Sequence, residues 1–131
     1  MSDMAKRRKR TPLRAALGHG PARTGVHHWW LQRLTSVAMI PLGLWLIVSL
    51  ILVDAQDHQA VLRWLGTPGT LVMMSLLLLA LFHHLALGLQ VIVEDYVHGR
   101  WSKLVLVVVI KLASVVLVTI ALVAMLAVAF G

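Results

Sequence analysis

Polar residues are sparse in this chain and gather in short gaps between long apolar runs. Leu34–Val53 carries no charge over a length that matches the ~20 residues a helix needs to cross a ~30 Å hydrocarbon core. Trp64–Val93 is also uncharged when histidine is counted neutral, with Pro68 placed so that its helix begins near Gly69. Leu104–Phe130 is interrupted only by Lys111. Between the first two runs lies Asp54–Leu65, polar at its start (DAQDHQ). Between the last two is a tight turn, Tyr96–Ser102, with Gly99 read as a helix terminator. The pattern predicts an all-α membrane protein with three transmembrane helices, at about 34–53, 69–95 and 103–129.

Composition agrees. The chain has 131 residues, 60% hydrophobic and 13% charged, against roughly 45–50% apolar content in soluble domains. A soluble protein of this size has no interior large enough for that much apolar surface, so the bilayer is its solvent. With no cysteine, disulfides, thiolate metal sites and chain-ligated iron–sulfur clusters are excluded.

The formal charge of +7 changes the picture through its placement. Eight of the twelve Lys and Arg residues lie in residues 1–33, ahead of the first run. A basic flank beside a membrane segment sets topology or meets anionic lipid, so nucleic acid is not an expected partner. The turn before the third span adds Arg100 and Lys103, whereas the first connection sets Arg63 against Asp54 and Asp57. By the positive-inside rule the N-terminus and second turn are cytoplasmic and the C-terminus is on the far side. Trp29, Trp30 and Trp101 then share the cytoplasmic side, as an interfacial belt would. Residues 1–22 read as a basic, disordered cytoplasmic tail and 23–131 as the three-helix unit. No apolar segment follows KRRKR closely enough to make a cleavable signal peptide.

Chemistry concentrates on the second span. The third is almost wholly aliphatic and lipid-facing, with Lys111 shallow enough to snorkel to the interface. The segment HHLALGLQVIVEDYVH (His83–His98) places two histidines inside an apolar helix and ends it with Glu94, Asp95 and Tyr96. Ionisable groups inside membrane segments are costly and mark cofactors, ion paths or partner contacts. One helix face carries Ala80, His84, Gly88, Val91 and Asp95; its neighbour carries Leu79, His83, Leu87, Gln90 and Glu94. A flat macrocycle needs small side chains around its ligating imidazole, which Ala80 and Gly88 supply for His84 and leucines deny to His83. The same small residues also suit close helix packing. On spacing alone three readings stand: a hydrogen bond to a neighbouring helix, haem ligation, or a proton path. Asp95 lies eleven residues beyond His84, about 16 Å along a helix. That depth puts the remaining histidines, His19, His27, His28, His58 and His98, out of reach of a shared haem. A haem here therefore takes its second axial ligand from another subunit.

A second cluster is expected at the cytoplasmic boundary. It comprises His27, Trp29, Trp30, Gln32, Arg33, Thr35 and Ser36, joined by Asp95, Tyr96 and His98. Arg33 there can pair with a haem propionate or with Asp95, and a tyrosine hydroxyl can donate to a quinone carbonyl. An ordinary interfacial belt has the same composition.

These residues resemble a known family, the smaller of the two hydrophobic membrane anchors of succinate dehydrogenase, respiratory complex II. The resemblance rests on His84-x3-Gly88-x6-Asp95-Tyr96-Val97 in the second of three spans, and on Gly25-Val26-His27 followed by Arg33 and Thr35. It extends over residues 23–131, and HHWWLQR and LGLQVIVEDYVH look most like α-proteobacterial and mitochondrial-type members. Glu94 departs from the threonine often found there, and His83 has no fixed counterpart.

The resemblance implies a non-catalytic subunit that forms half of a helical bundle with a second, partner membrane anchor. It implies that His84 is one axial ligand of haem b, with its iron as the metal. Tyr96 and Asp95 would serve ubiquinone, and Arg33 and His27 would lie near the haem propionates or the quinone. It also implies docking of a flavoprotein subunit and an iron–sulfur subunit, in the bacterial cytoplasmic (inner) membrane with a periplasmic C-terminus. A fumarate reductase anchor has the same architecture. A small transporter or proton-path protein is a rival of another class, but such proteins place acids at mid-membrane or break a helix there, and here both acids sit at the boundary.

Overall fold

The computed structural model describes residues 20–131, with side chains from Val26 onward. Among them are helices α1 (Gly20–Leu52), α2 (His58–Leu65), α3 (Pro68–Tyr96) and α4 (Arg100–Phe130), and no strands. Three stretches are long and apolar enough to cross a membrane: Val26–Leu52, Pro68–Tyr96 and Arg100–Phe130, with mean hydropathy of 2.2, 2.2 and 2.9. The all-α, three-span expectation holds.

The first helix begins well before its apolar run. No proline falls between Pro21 and Pro41, and none of the intervening residues stops a helix, so the apolar run marks only the part suited to lipid. Pro41 sits inside α1 without ending it, as membrane helices tolerate. The tail expected at 1–22 lies outside the described residues as far as position 19. Gly20–Leu31 groups separately from a compact unit formed by Gln32–Gly131. Within the former, Trp29 and Trp30 meet edge to face with centroids 5.3 Å apart.

The first connection contains a helix that the apolar pattern does not announce. Asp57 caps α2, its side chain accepting the Gln59 amide proton at 2.9 Å, and Arg63 lies 3.6 Å from the same carboxylate. Trp64, near the end of α2, stacks on Trp45 of α1 with centroids 6.2 Å apart and planes 26° from parallel. At Gly66 a Cβ would come within 3.7 Å of the Ala129 carbonyl, so the end of α2 also approaches the end of α4. Thr67 then caps α3 with Pro68 in its first turn, and the Thr67 hydroxyl donates to the Trp64 carbonyl at 2.8 Å.

The second turn differs from its expected chemistry. Val97, with extended backbone, ends α3, and Gly99 is instead the N-cap of α4 at φ −72°. No described residue has positive φ, so no left-handed glycine terminates the helix. A Cβ at Gly99 would meet Ser102 Oγ at 3.1 Å, which is the closeness glycine permits. Lys103 reaches back across the turn and donates from Nζ to the Glu94 carbonyl at 3.0 Å.

The longest packing seam joins α3 and α4. Even so, only Thr70, Leu77, Leu87 and Met125 are buried among the described residues. In water such a surface would be ruinous; in a bilayer, lipid tails and partner helices cover it without penalty.

Candidate functional site

His84 is the one span-two histidine that the fold engages. It is half-buried on α3, and its Nδ1 lies 3.3 Å from Thr35 Oγ1 and 3.4 Å from Ser36 Oγ, both on α1. Each hydroxyl also donates to the carbonyl of Gln32 one turn earlier, Thr35 at 3.0 Å and Ser36 at 2.7 Å. This back-bonding is the usual way a membrane helix accommodates hydroxyls. His83, one residue away, points elsewhere and is exposed.

On the same face, Ala80 and Gly88 flank His84. A Cβ built on Gly88 meets nothing within 4 Å among the described residues, so they leave that side of the histidine open. No three His, Cys, Asp or Glu side chains among the described residues gather closely enough to hold a metal ion.

The boundary cluster divides. Thr35 and Ser36, expected beside Asp95 and Tyr96, meet His84 instead, about 16 Å along α3 from Asp95. The pairing places Thr35 and Ser36 level with His84 rather than with the end of α3. Asp95 and Tyr96 end α3 exposed, the Tyr96 side chain most of all at 79%, and make no side-chain hydrogen bond or ion pair among the described residues. Arg33 is exposed on α1 two residues before Thr35, and His27 is exposed in the part of α1 that precedes Gln32.

Glu94, left without a role by its sequence position, closes a small network. Gln90 Nε2 donates to its carboxylate at 2.7 Å. Beside it an open cleft of about 630 Å³ is lined by Glu94, Arg100, Trp101, Lys103, Leu104 and Val107. Two amide oxygens, Gln32 Oε1 and Gln90 Oε1, are buried without a donor among the described residues. The pairing that sequence reasoning missed is Thr35 and Ser36 with His84. A hint was present, since adjacent hydroxyls near the start of a span can serve a buried ring nitrogen on another helix.

Residues 7–129 match the family model described as succinate dehydrogenase/fumarate reductase transmembrane subunit. The chain is 29% identical over 106 residues to the succinate dehydrogenase hydrophobic membrane anchor subunit of Rickettsia bellii, covering 81% of this chain and 85% of the relative. It is 28% identical to the succinate dehydrogenase membrane anchor subunit of Reclinomonas americana over 96 residues, 71% of this chain and 80% of that protein. A Paracoccus denitrificans protein, a succinate dehydrogenase hydrophobic membrane anchor subunit, is 25% identical over 93 residues, 71% of this chain and 72% of its own length.

Proposed function

The chain belongs to the succinate dehydrogenase/fumarate reductase transmembrane subunit family, as a multi-pass membrane protein, and from that premise we propose that it anchors a succinate:quinone oxidoreductase. In this reading it docks the iron–sulfur and flavoprotein subunits, pairs with a second membrane anchor, contributes one axial ligand to haem b and lines part of the ubiquinone site. The relatives named above are succinate dehydrogenase anchors, which supports succinate oxidation over fumarate reduction.

The observation that carries the haem assignment is the seat of His84. One ring nitrogen is engaged by the protein and the flank at Gly88 is open, as an axial imidazole beside a macrocycle requires. The residues present fit the group. Haem b, when bound, supplies a one-electron redox centre; the protein supplies binding, orientation and electrostatics. His84 would hold the iron, and Ala80 and Gly88 would keep bulky side chains away from the macrocycle. Tyr96, an exposed phenol at the end of α3, donates a hydrogen bond to a quinone carbonyl, and Asp95 orients that site. Arg33, with His27, answers the negative charge of propionates or of the reduced quinone. The clustering of basic residues before α1 supports a cytoplasmic N-terminus and periplasmic C-terminus in the inner membrane.

The test is a reduced-minus-oxidised visible spectrum of the affinity-tagged chain, gently extracted with its native partners. A b-type haem band that appears on adding succinate is expected. A preparation lacking both the band and the soluble dehydrogenase subunits would overturn the reading.

A further inference from the structure

Two hydroxyl oxygens on α1 converge on a single ring nitrogen of α3, and the direction of their protons decides what that nitrogen carries. Thr35 Oγ1 and Ser36 Oγ each have one proton, and each lies 3.0 Å or less from the Gln32 carbonyl oxygen, which can only accept. With those protons aimed at the helix carbonyl, the hydroxyls face His84 with lone pairs. An unprotonated Nδ1 would set a third lone pair against two oxygens at 3.3 and 3.4 Å. A protonated Nδ1 instead donates a shared hydrogen bond to both.

We infer that Thr35 and Ser36 are positioning residues that hold His84 in its Nδ1–H tautomer and present Nε2, lone pair outward, to the haem iron. This rests on the haem-ligand reading of His84 given above. In a neutral imidazole one nitrogen donates and the other accepts, so fixing the proton at Nδ1 fixes the lone pair at Nε2. Metal-bound histidines depend on such a partner for their second nitrogen, which sets ring orientation and raises the basicity of the ligating one. The chain Nδ1–H to hydroxyl to Gln32 carbonyl adds to this, since a hydroxyl that donates to a carbonyl becomes a better acceptor. The device also joins two spans. The ligand is on α3, its orienting oxygens are on α1, and the ring angle therefore reports how the two helices sit within the unit.

The experiment uses the whole complex purified with its partners, carrying Thr35→Val with Ser36→Ala, each single change, Thr35→Ser, or His84→Ala. Haem content, the haem midpoint potential by redox titration and the low-spin electron paramagnetic resonance signal are read on each. The double variant is expected to oxidise succinate with a soluble acceptor at the wild-type rate. Its haem should bind about 10–100-fold less tightly, with a raised midpoint potential and shifted resonance, because a less basic imidazole stabilises ferric iron less. Thr35→Ser keeps the hydroxyl and should keep all three wild-type values. If the double variant loses haem entirely, the single variants should show the raised potential. Wild-type potential and resonance in the double variant, or in both single variants, would overturn the inference while leaving His84 as ligand. Full haem content with an unchanged resonance in His84→Ala would overturn the ligand reading itself.

Discussion

Lys103 Nζ donates to the main-chain carbonyl of Glu94 at 3.0 Å, fastening the first turn of α4 to the last turn of α3. Three residues separate those helices, Val97, His98 and Gly99. The terminal carbonyls of α3 lack helical partners and attract a cation. The bond uses the backbone of Glu94, not its carboxylate. Lys103→Ala should therefore destabilise the turn by about 1 kcal/mol, whereas Glu94→Gln should leave it unchanged. Thermal unfolding of the detergent-solubilised complex reads the difference; equal losses in the two variants would contradict the backbone assignment.

The two adjacent histidines should separate cleanly. His84 is half-buried against Thr35 and Ser36, and His83 is exposed on the neighbouring face. His84→Ala is expected to displace haem, seen as loss of the b-type band, and His83→Ala to retain it. The reverse pattern would move the ligand to His83.

Tyr96→Phe removes one hydroxyl from a side chain that is 79% exposed and bonded to nothing among the described residues, so folding should be indifferent to it. Quinone reduction should fall by roughly tenfold, the effect of about 1.4 kcal/mol of lost hydrogen bonding. Succinate oxidation with a soluble acceptor should persist. Parallel loss of both activities would indicate failed assembly rather than a quinone contact.

Gly88 tells a covering macrocycle from covering lipid. A Cβ there meets nothing within 4 Å among the described residues, and replacing glycine with alanine in a helix is worth up to about 1 kcal/mol. Gly88→Leu is thus expected to leave the helices intact yet lower haem content, because its branches enter the space beside the His84 imidazole. Unchanged haem content in assembled complex would assign that face to lipid.

The three spans were legible because charge is so rare in this chain that its absence over about 20 residues is itself a signal. Their ends were less so. Val26–Arg33 holds tryptophans, histidines and an arginine that read as interface, yet none of them stops a helix, and α1 runs through them. Helix α2 was available in principle: Asp57 before it, Gly66 after it and apolar residues at Val61, Leu62, Trp64 and Leu65 form a short amphipathic unit. The polar opening DAQDHQ masked it. For the site, small neighbours at Ala80 and Gly88 were enough to favour His84 over His83. The partners of His84 were not readable, since Thr35 and Ser36 lie 49 and 48 residues away and meet it only through the relative depth of two helices.

The stacking of Trp64 on Trp45 has a consequence for how this site comes into being. A flexible linker would leave the first two spans to find each other by diffusion in the membrane plane. Here the link is a capped helix, and an indole pair joins it to α1 at Trp45, ten residues beyond Thr35 and nine beyond Ser36. A short link of this kind keeps the two spans close, so the hydroxyls and the imidazole meet at a higher effective concentration than on separate chains. If His84 is the haem ligand proposed above, the entropy of arranging it is spent when the two helices pack rather than when the cofactor binds.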